Sequence, residues 1–298
     1  MIPFLDEEQV RQVLRMEDLI PAMEAALVEF SAGRIAQPVR RLLPVEPHGG
    51  YLGSMPAAGE HAVGAKLVTF FPGNAGRGLP THMAMVLLFR PETGEPLAIM
   101  DGRLITEMRT AAVSAAATKA LAAADAAVLA ILGSGVQARS HVEALRLVRD
   151  FEEIRVWSRT AEHAHRFADE IGATVMDAEK AVRDADVVVT ATATTEPVLM
   201  GRWLKAGAHV NSVGWRGFQA RELDDEAMRS IIVVESREAV LLESGDVRLS
   251  GAEITAELGE VLAGTVPVPS GVTTVFKSVG IATEDMAAAK LVYDRLQS

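Results

Sequence analysis

The chain has 298 residues, of which 49% are hydrophobic but only 5% aromatic, so its core must be built from Ala, Val, Leu and Ile rather than from rings. Lys and Arg total 29 against 40 Asp and Glu, a net charge of -11 that would repel a phosphate backbone and argues against a general nucleic-acid binder. Cysteine is absent, which excludes disulfides, thiolate metal sites and cysteine nucleophiles, and no metal site is expected.

The first residues, MIPFLDEEQV, lack a cationic segment followed by a long apolar run, so no signal peptide is expected there. The longest apolar stretches, such as AAVLAILG, are roughly eight residues, short of a bilayer span. A soluble, cytoplasmic protein with no membrane or nucleic-acid partner is the expectation.

Residues 17–32 carry Leu19, Ile20, Met23, Ala26, Leu27 and Phe30 at helical spacing, with Gly33 as a stop. Short β-like runs follow at Val39 to Val45, Gly64 to Phe71, Met83 to Phe89 and Pro96 to Met100, the last two joined by the turn PETGEP. From Asp101, a good N-cap, to about Leu121 the Ala-rich chain predicts one long helix.

Near Ala126 the rhythm changes. AAVLAILG, EIRVWS, DVVVTATAT, AHVNSVG and SIIVVES read as five strands, with helices at Val136 to Val148 and Ala161 to Ile171 between the first of them. Alternation at this spacing predicts an α/β unit with a Rossmann-type doubly wound parallel sheet. The final TTVFKS and a helix over Glu284 to Leu296 are expected to return to the first domain.

Gly133-Ser134-Gly135-Val136-Gln137-Ala138 directly follows the first of these strands and opens a helix, fitting G-x-G-x-x-A. The first glycine permits the tight turn, the second the approach of a pyrophosphate, and the small third residue close helix–strand packing. A glycine turn can be purely structural, but strand before, helix after and a second strand about 20 residues on favour dinucleotide binding. At the end of that second strand an NAD enzyme places a carboxylate for the ribose 2′-hydroxyl. This chain has Ser158-Arg159-Thr160, suited to a 2′-phosphate and so to NADP(H), although Arg159 could also be a solvated arginine at a helix start.

Three cations of the first domain stand out. Lys66 interrupts an apolar strand, a costly placement that suggests a task. Arg109 lies in an otherwise apolar helix and could merely pair there. Arg40 beside Arg41 could be a plain surface charge.

Read in order, the segments QPVR, GYLGSMPA, GAKLVTFFPGN, LPTHMAMVLLF, AIMDGRLITEMRTAAVSA, ILGSGVQARSH, VWSRT, VNSVGWRGFQARELDDE, ESGDVRLSGAEITAELGEV and TTVFKSVG resemble successive signatures of the ornithine cyclodeaminase and mu-crystallin family, over nearly the whole chain. The resemblance implies a Rossmann domain, residues 115–271, inserted into an α+β substrate-binding and dimerisation domain of residues 1–114 plus 272–298, and a homodimer. It implies that Arg40, Lys66 and Arg109 hold the carboxylate and reacting carbon of a small imino or amino acid. Arg216 and Glu243 are implied as substrate-pocket residues, with helix capping a fair competitor for Glu243.

For the cofactor it implies Thr81, His82, Met83, Arg109, Thr110, Gly133, Gly135, Val136, Gln137, Ser158, Arg159, Thr160, Thr192, Val213, Lys277 and Ser278. A histidine at a strand start is more often a satisfied polar residue than a catalytic base, so His82 is assigned to cofactor contact and not to proton transfer. A Lys66 held between arginines and partly desolvated should have a lowered pKa and could exchange a proton near neutral pH.

The chain departs from the cyclodeaminase pattern at two places. Arg216 stands where those enzymes carry a catalytic aspartate, counting to the shared Glu222-Leu223 pair, and Gly53 where they carry a glutamate. A cation at the first position would repel an ammonium side chain, which argues against ornithine cyclisation. The expected reaction is NADPH-dependent reduction of the C=N bond of cyclic ketimine carboxylates such as piperideine-2-carboxylate or pyrroline-2-carboxylate. An ornithine cyclodeaminase, an alanine-type amino-acid dehydrogenase, and an NADP-linked protein that only binds a thyroid-hormone-like molecule are the alternatives.

Overall fold

The computed structural model describes residues 2–215 and 217–297, so Arg216 lies outside the described residues. The chain folds as two compact units: residues up to Arg109 together with those from Ile281 on, and Thr110–Gly280.

The first unit is built on a six-stranded sheet. β1 (Phe4–Leu5) is followed by helices α1 (Glu7–Val13) and α2 (Met16–Ser31), then by β2 (Arg41–Val45), β3 (Gly50–Ala58), β4 (Val63–Phe70), β5 (His82–Phe89) and β6 (Pro96–Asp101). The strand order is β1-β6-β5-β4-β3-β2, antiparallel except where β1 lies parallel to β6. Asp6 closes a capping box at the start of α1, and α2 buries Met16, Leu19, Ile20, Met23, Ala26 and Leu27, the face expected from its spacing. The long helix α3 (Arg103–Leu121) begins two residues after the expected N-cap: Asp101 ends β6, and its carboxylate accepts the Arg103 amide at 2.9 Å.

Strand β3 is not among the strands expected, because Gly50, Gly53 and Pro56 break its sequence pattern. Tertiary pairing supplies what propensity lacks, with Met55 in register with Lys66 and Ser54 with Leu67. One face of the sheet is buried under the C-terminal helix, Ala282–Gln297, and α2 packs on that helix. The opposite face carries Leu43, Leu52, Leu67, Met83 and Met85, all exposed.

The second unit contains β7 (Val128–Leu132), α4 (Val136–Leu145), β8 (Glu153–Trp157), α5 (Ala161–Ile171), β9 (Thr174–Val175), α6 (Ala178–Val182), β10 (Val187–Thr190), β11 (His209–Ser212), β12 (Ile231–Val234), α7 (Arg237–Glu243), α8 (Gly245–Ser250), β13 (Ile254–Glu257), α9 (Leu258–Leu262) and β14 (Thr274–Lys277). The C-terminal helix is thus α10. All eight strands are parallel, in the order β13-β12-β14-β11-β10-β7-β8-β9. The chain winds outward through β8 and β9 on one side of β7 and through β10 and β11 on the other, the doubly wound arrangement expected. Strands β7 and β10 are buried on both faces, which explains their continuous apolar runs.

The segment TTVFKS does not return to the first unit. Thr274–Lys277 forms β14, inserted between β11 and β12 with all four residues buried. The unit boundaries therefore stand at 109/110 and 280/281, where 114/115 and 271/272 were expected. A short apolar strand carries no local signal for which sheet it joins.

Candidate active site

In the first unit, alternation along β4 turns Lys66 to the covered face with Val68, in register with Met55 on β3 and Val86 on β5. It is 2% exposed. A buried ammonium is tolerable only if paired. The first turn of α10 supplies the partners: Glu284 and Asp285, both fully buried. Asp285 reaches Lys66 at 2.7 Å and the Nε of Arg109 at 3.2 Å, and Glu284 holds Nη1 of Arg109 at 2.6 Å. A helix N-terminus favours both anions.

Lys66 forms an ion pair with Asp285 at 2.7 Å and donates to Thr106 Oγ1 at 3.5 Å. Among the described residues it has no third acceptor, so one donor is left for a ligand. Burial, with the charges of Arg109 and Arg40, lowers its pKa to about 8 against the pull of Asp285. It is then protonated at neutral pH yet able to release its proton, about a tenth being neutral at pH 7. Burial raises the Asp285 carboxyl, but Lys66, Arg109 and Arg40 outweigh it and hold the group below its ordinary value.

His82 shares the Lys66 face of the sheet. Burial, then Lys66, Arg109 and Arg40, push its pKa down to about 4 despite Asp285, so it is a neutral imidazole at pH 7. Arg40, half-buried just ahead of β2, adds its charge to Lys66, His82 and Asp285. The residues expected around a substrate carboxylate, Arg40, Lys66 and Arg109, are thus brought together within one unit.

In the second unit, β7 runs into Gly133, whose φ of +135° and closeness to the Ala191 carbonyl (2.5 Å from a notional Cβ) leave room only for glycine. Gly135 caps α4, and its surface is open. The Ser134 and Ser158 hydroxyls bond at 2.8 Å, tying this turn to the end of β8. Arg139, which the sequence does not single out, braces the turn through the carbonyls of Ser134 and Gly135 and is itself held by Glu170. Arg159 is exposed and makes no ion pair among the described residues. Thr160 is the N-cap residue of α5, and residues 157–160 at the end of β8 include no carboxylate.

Val136 is half exposed, Val213 and Thr110 lie in this unit, and the Gln137 side-chain oxygen is buried. Thr192 gives both its amide and its hydroxyl to Glu222. Three more residues of the expected cofactor set have other surroundings. Met83 points to the sheet face opposite His82 and Lys66, because side chains alternate along β5, so its side chain cannot share a ligand with theirs. Lys277 spends three N–H groups on Asp246 (3.0 Å), Ser212 Oγ (3.1 Å) and the Gly214 carbonyl (3.1 Å), leaving none for a cofactor. Ser278 donates its hydroxyl to buried Glu235.

Thr81 sits at the start of β5, its carbonyl bonded to the Phe71 amide. Glu243 is buried at the end of α7, where its carbonyl accepts the Trp215 indole N–H at 3.3 Å. The expectation for Arg216 falls outside the described residues. Sequence reasoning misses Glu284, Asp285 and Glu222. Acidic residues opening a helix look like ordinary dipole complements, and only burial distinguishes them.

The sequence profile described as the ornithine cyclodeaminase/mu-crystallin family matches residues 3–298. A protein named ketimine reductase mu-crystallin from Mus musculus is 52% identical over 99% of this chain and 97% of its own length. The structure of Thermococcus litoralis Delta(1)-pyrroline-2-carboxylate reductase in complex with NADH and L-proline superposes with a TM-score of 0.94 at 38% identity, covering 99% of this chain and 98% of that one. An archaeal alanine dehydrogenase dimer with bound NAD gives a TM-score of 0.94 at 34% identity, over 99% and 96%. The chain belongs to the ornithine cyclodeaminase/mu-crystallin family.

Proposed function

We propose that this family member is an oxidoreductase that uses NADPH to reduce the C=N bond of a cyclic ketimine carboxylate, such as piperideine-2-carboxylate or pyrroline-2-carboxylate, to the cyclic amino acid. The observation that carries this is Lys66: buried, flanked by Arg109 and Arg40, poised near neutral pH and with a donor to spare. Relatives named as reductases of such compounds support it.

Arg40 and Arg109 hold the substrate carboxylate, the planar guanidinium being suited to two-point contact. Lys66 supplies the proton for the imine nitrogen, and a protonated C=N carbon is the better hydride acceptor. Glu284 and Asp285 keep Arg109 and Lys66 in place through bonds of 2.6–3.2 Å. The glycine turn from Gly133 to Gly135, closed to any larger residue at its first position, fits a dinucleotide pyrophosphate. Arg159, Ser158 and Thr160 fit a 2′-phosphate. When bound, the reduced nicotinamide supplies the hydride.

The exposed apolar face of the first unit's sheet, with Leu43, Leu52, Leu67 and Met85, suits pairing into a homodimer. Among the described residues no helix is long and apolar enough to cross a membrane, and a cytoplasmic location is part of the proposal.

The test is oxidation of NADPH, followed by absorbance, with each cyclic imine, and with NADH in parallel. Loss of NADPH faster than NADH is expected. In Arg159→Ala the NADPH preference should shrink by about 10- to 100-fold, the worth of a charge-assisted hydrogen bond. No oxidation of either cofactor would overturn the proposal. Turnover only with pyruvate and ammonia would favour an alanine-type dehydrogenase, the reading that likeness to the archaeal dimer supports.

A further inference from the structure

At the C-terminal ends of β10 and β11, the loops that follow are pinned by a single buried carboxylate. Glu222 is 2% exposed and lies outside every regular helix and strand. Its Oε1 accepts from the Thr192 amide (2.8 Å) and the Thr192 hydroxyl (2.6 Å). Its Oε2 accepts from Thr190 Oγ1 (2.7 Å), Ser212 Oγ (3.1 Å) and the Gly214 amide (2.8 Å). Five donors converge on a group with about four lone-pair sites, so its carboxylate oxygens are fully engaged as acceptors. All five are neutral, and each belongs to the last residue of β10 or β11 or to the loop just beyond.

Glu222 is itself fixed. Asp246 accepts the amides of Glu222 and Leu223 at 2.8 and 2.9 Å and pairs with Lys277, which also holds the Gly214 carbonyl. Gly214 is therefore clamped through both its amide and its carbonyl. The clamp also excludes side chains: a Cβ on Gly214 would stand 2.3 Å from the Glu222 carboxylate and 2.4 Å from the Thr192 carbonyl. The Ala191 carbonyl in the same loop is what holds Gly133 to glycine, so the turns after β7, β10 and β11 form one packed set.

In a doubly wound sheet a dinucleotide lies across the C-terminal ends, one mononucleotide on each side of the switch point. Here the first half, β7 to β9, carries the glycine turn and Arg159, and the second half begins with β10 and β11. We infer that Glu222 is a positioning residue for the nicotinamide half of the cofactor, shaping the β10 and β11 loops that receive it without touching the cofactor itself. This rests on the NADP(H) reading above and assigns the side of the site on which Glu222 acts.

A merely structural role would weaken the whole site. A positioning role weakens one half. The experiment measures dissociation constants of NADPH and of adenosine 2′,5′-bisphosphate, which lacks the nicotinamide half, by calorimetry on wild type, Glu222→Gln and Thr190→Val, with thermal melts alongside. For Glu222→Gln, NADPH is expected to bind about ten-fold or more weakly, since an amide N–H₂ would face buried donors, while the bisphosphate stays within about two-fold. Thr190→Val, which removes one donor and keeps the carboxylate, should weaken NADPH by about three-fold and carries the test if Glu222→Gln does not fold.

Equal weakening of both ligands, or no change in NADPH affinity, would overturn the inference. Wild type that binds NADH but not the bisphosphate would sink the 2′-phosphate reading instead. The same comparison is then made with NADH and adenosine 5′-diphosphate.

Discussion

Two lysines of this protein are equally hidden and oppositely disposed. Lys66 on β4 is 2% exposed and Lys277 on β14 is 1% exposed, and each sits at a strand position where an apolar side chain would be expected. Around Lys66, burial and the arginines at positions 109 and 40 act together against one carboxylate, Asp285, and the pKa falls to about 8. Around Lys277, burial also disfavours the charge, but Asp246, Glu222 and Glu235 outweigh it and the pKa rises. Lys277 has three acceptors for three N–H groups, whereas Lys66 has one firm acceptor and one distant one. A saturated buried lysine is a structural rivet. An undersaturated one among like charges is prepared for a ligand and for proton transfer.

The contrast breaks cleanly by substitution. Lys66→Met should lower kcat for imine reduction by about 10²- to 10⁴-fold, the usual worth of a positioned acid. Steady-state kinetics beside circular dichroism checks this, and a variant with near-normal kcat would remove Lys66 from the chemistry. Lys277→Met should act on stability instead. It strands Asp246 beside Glu222 and should cost about 3–5 kcal/mol, read as a shift in the urea midpoint at unchanged slope.

The smallest effect sharpens the comparison through pH. If protonated Lys66 is the acid, kcat/KM falls as pH rises through about 8, where the folded protein loses that proton. Asp285 raises this pKa, so Asp285→Asn should move the descending limb to lower pH. Lys277, held above its ordinary value, contributes no limb in that range. A limb that stays in place in Asp285→Asn would mean that another group titrates there.

Much of this molecule is legible in its sequence because its strongest signals are local. The strand–glycine turn–helix around Gly133, the alternation that follows it, the helix over 16–31 and the charged intruders Lys66 and Arg109 are all visible within a few residues of themselves. Strand β3 is hidden by its own glycines and proline, and β14 is legible as a strand but not as a member of the second sheet.

Glu284 and Asp285 show the same limit at the site. In sequence they open an Ala-rich helix as acidic residues commonly do, and nothing in that segment points to a lysine on β4 or an arginine on α3. The family motif around Lys277 suggests a cofactor residue, since a motif carries no information about whether its ammonium is already satisfied.

By itself, then, the sequence determined the fold class, the family, the place of the glycine turn and the identity of the buried cations, since period, turn chemistry and residue type are properties of short segments. Only the tertiary structure decided what each buried charge faces. Burial and partner geometry set whether a lysine is held or poised, and both arise from contacts between segments far apart in the chain, as β14 beside β11 and Asp285 beside Lys66 make plain.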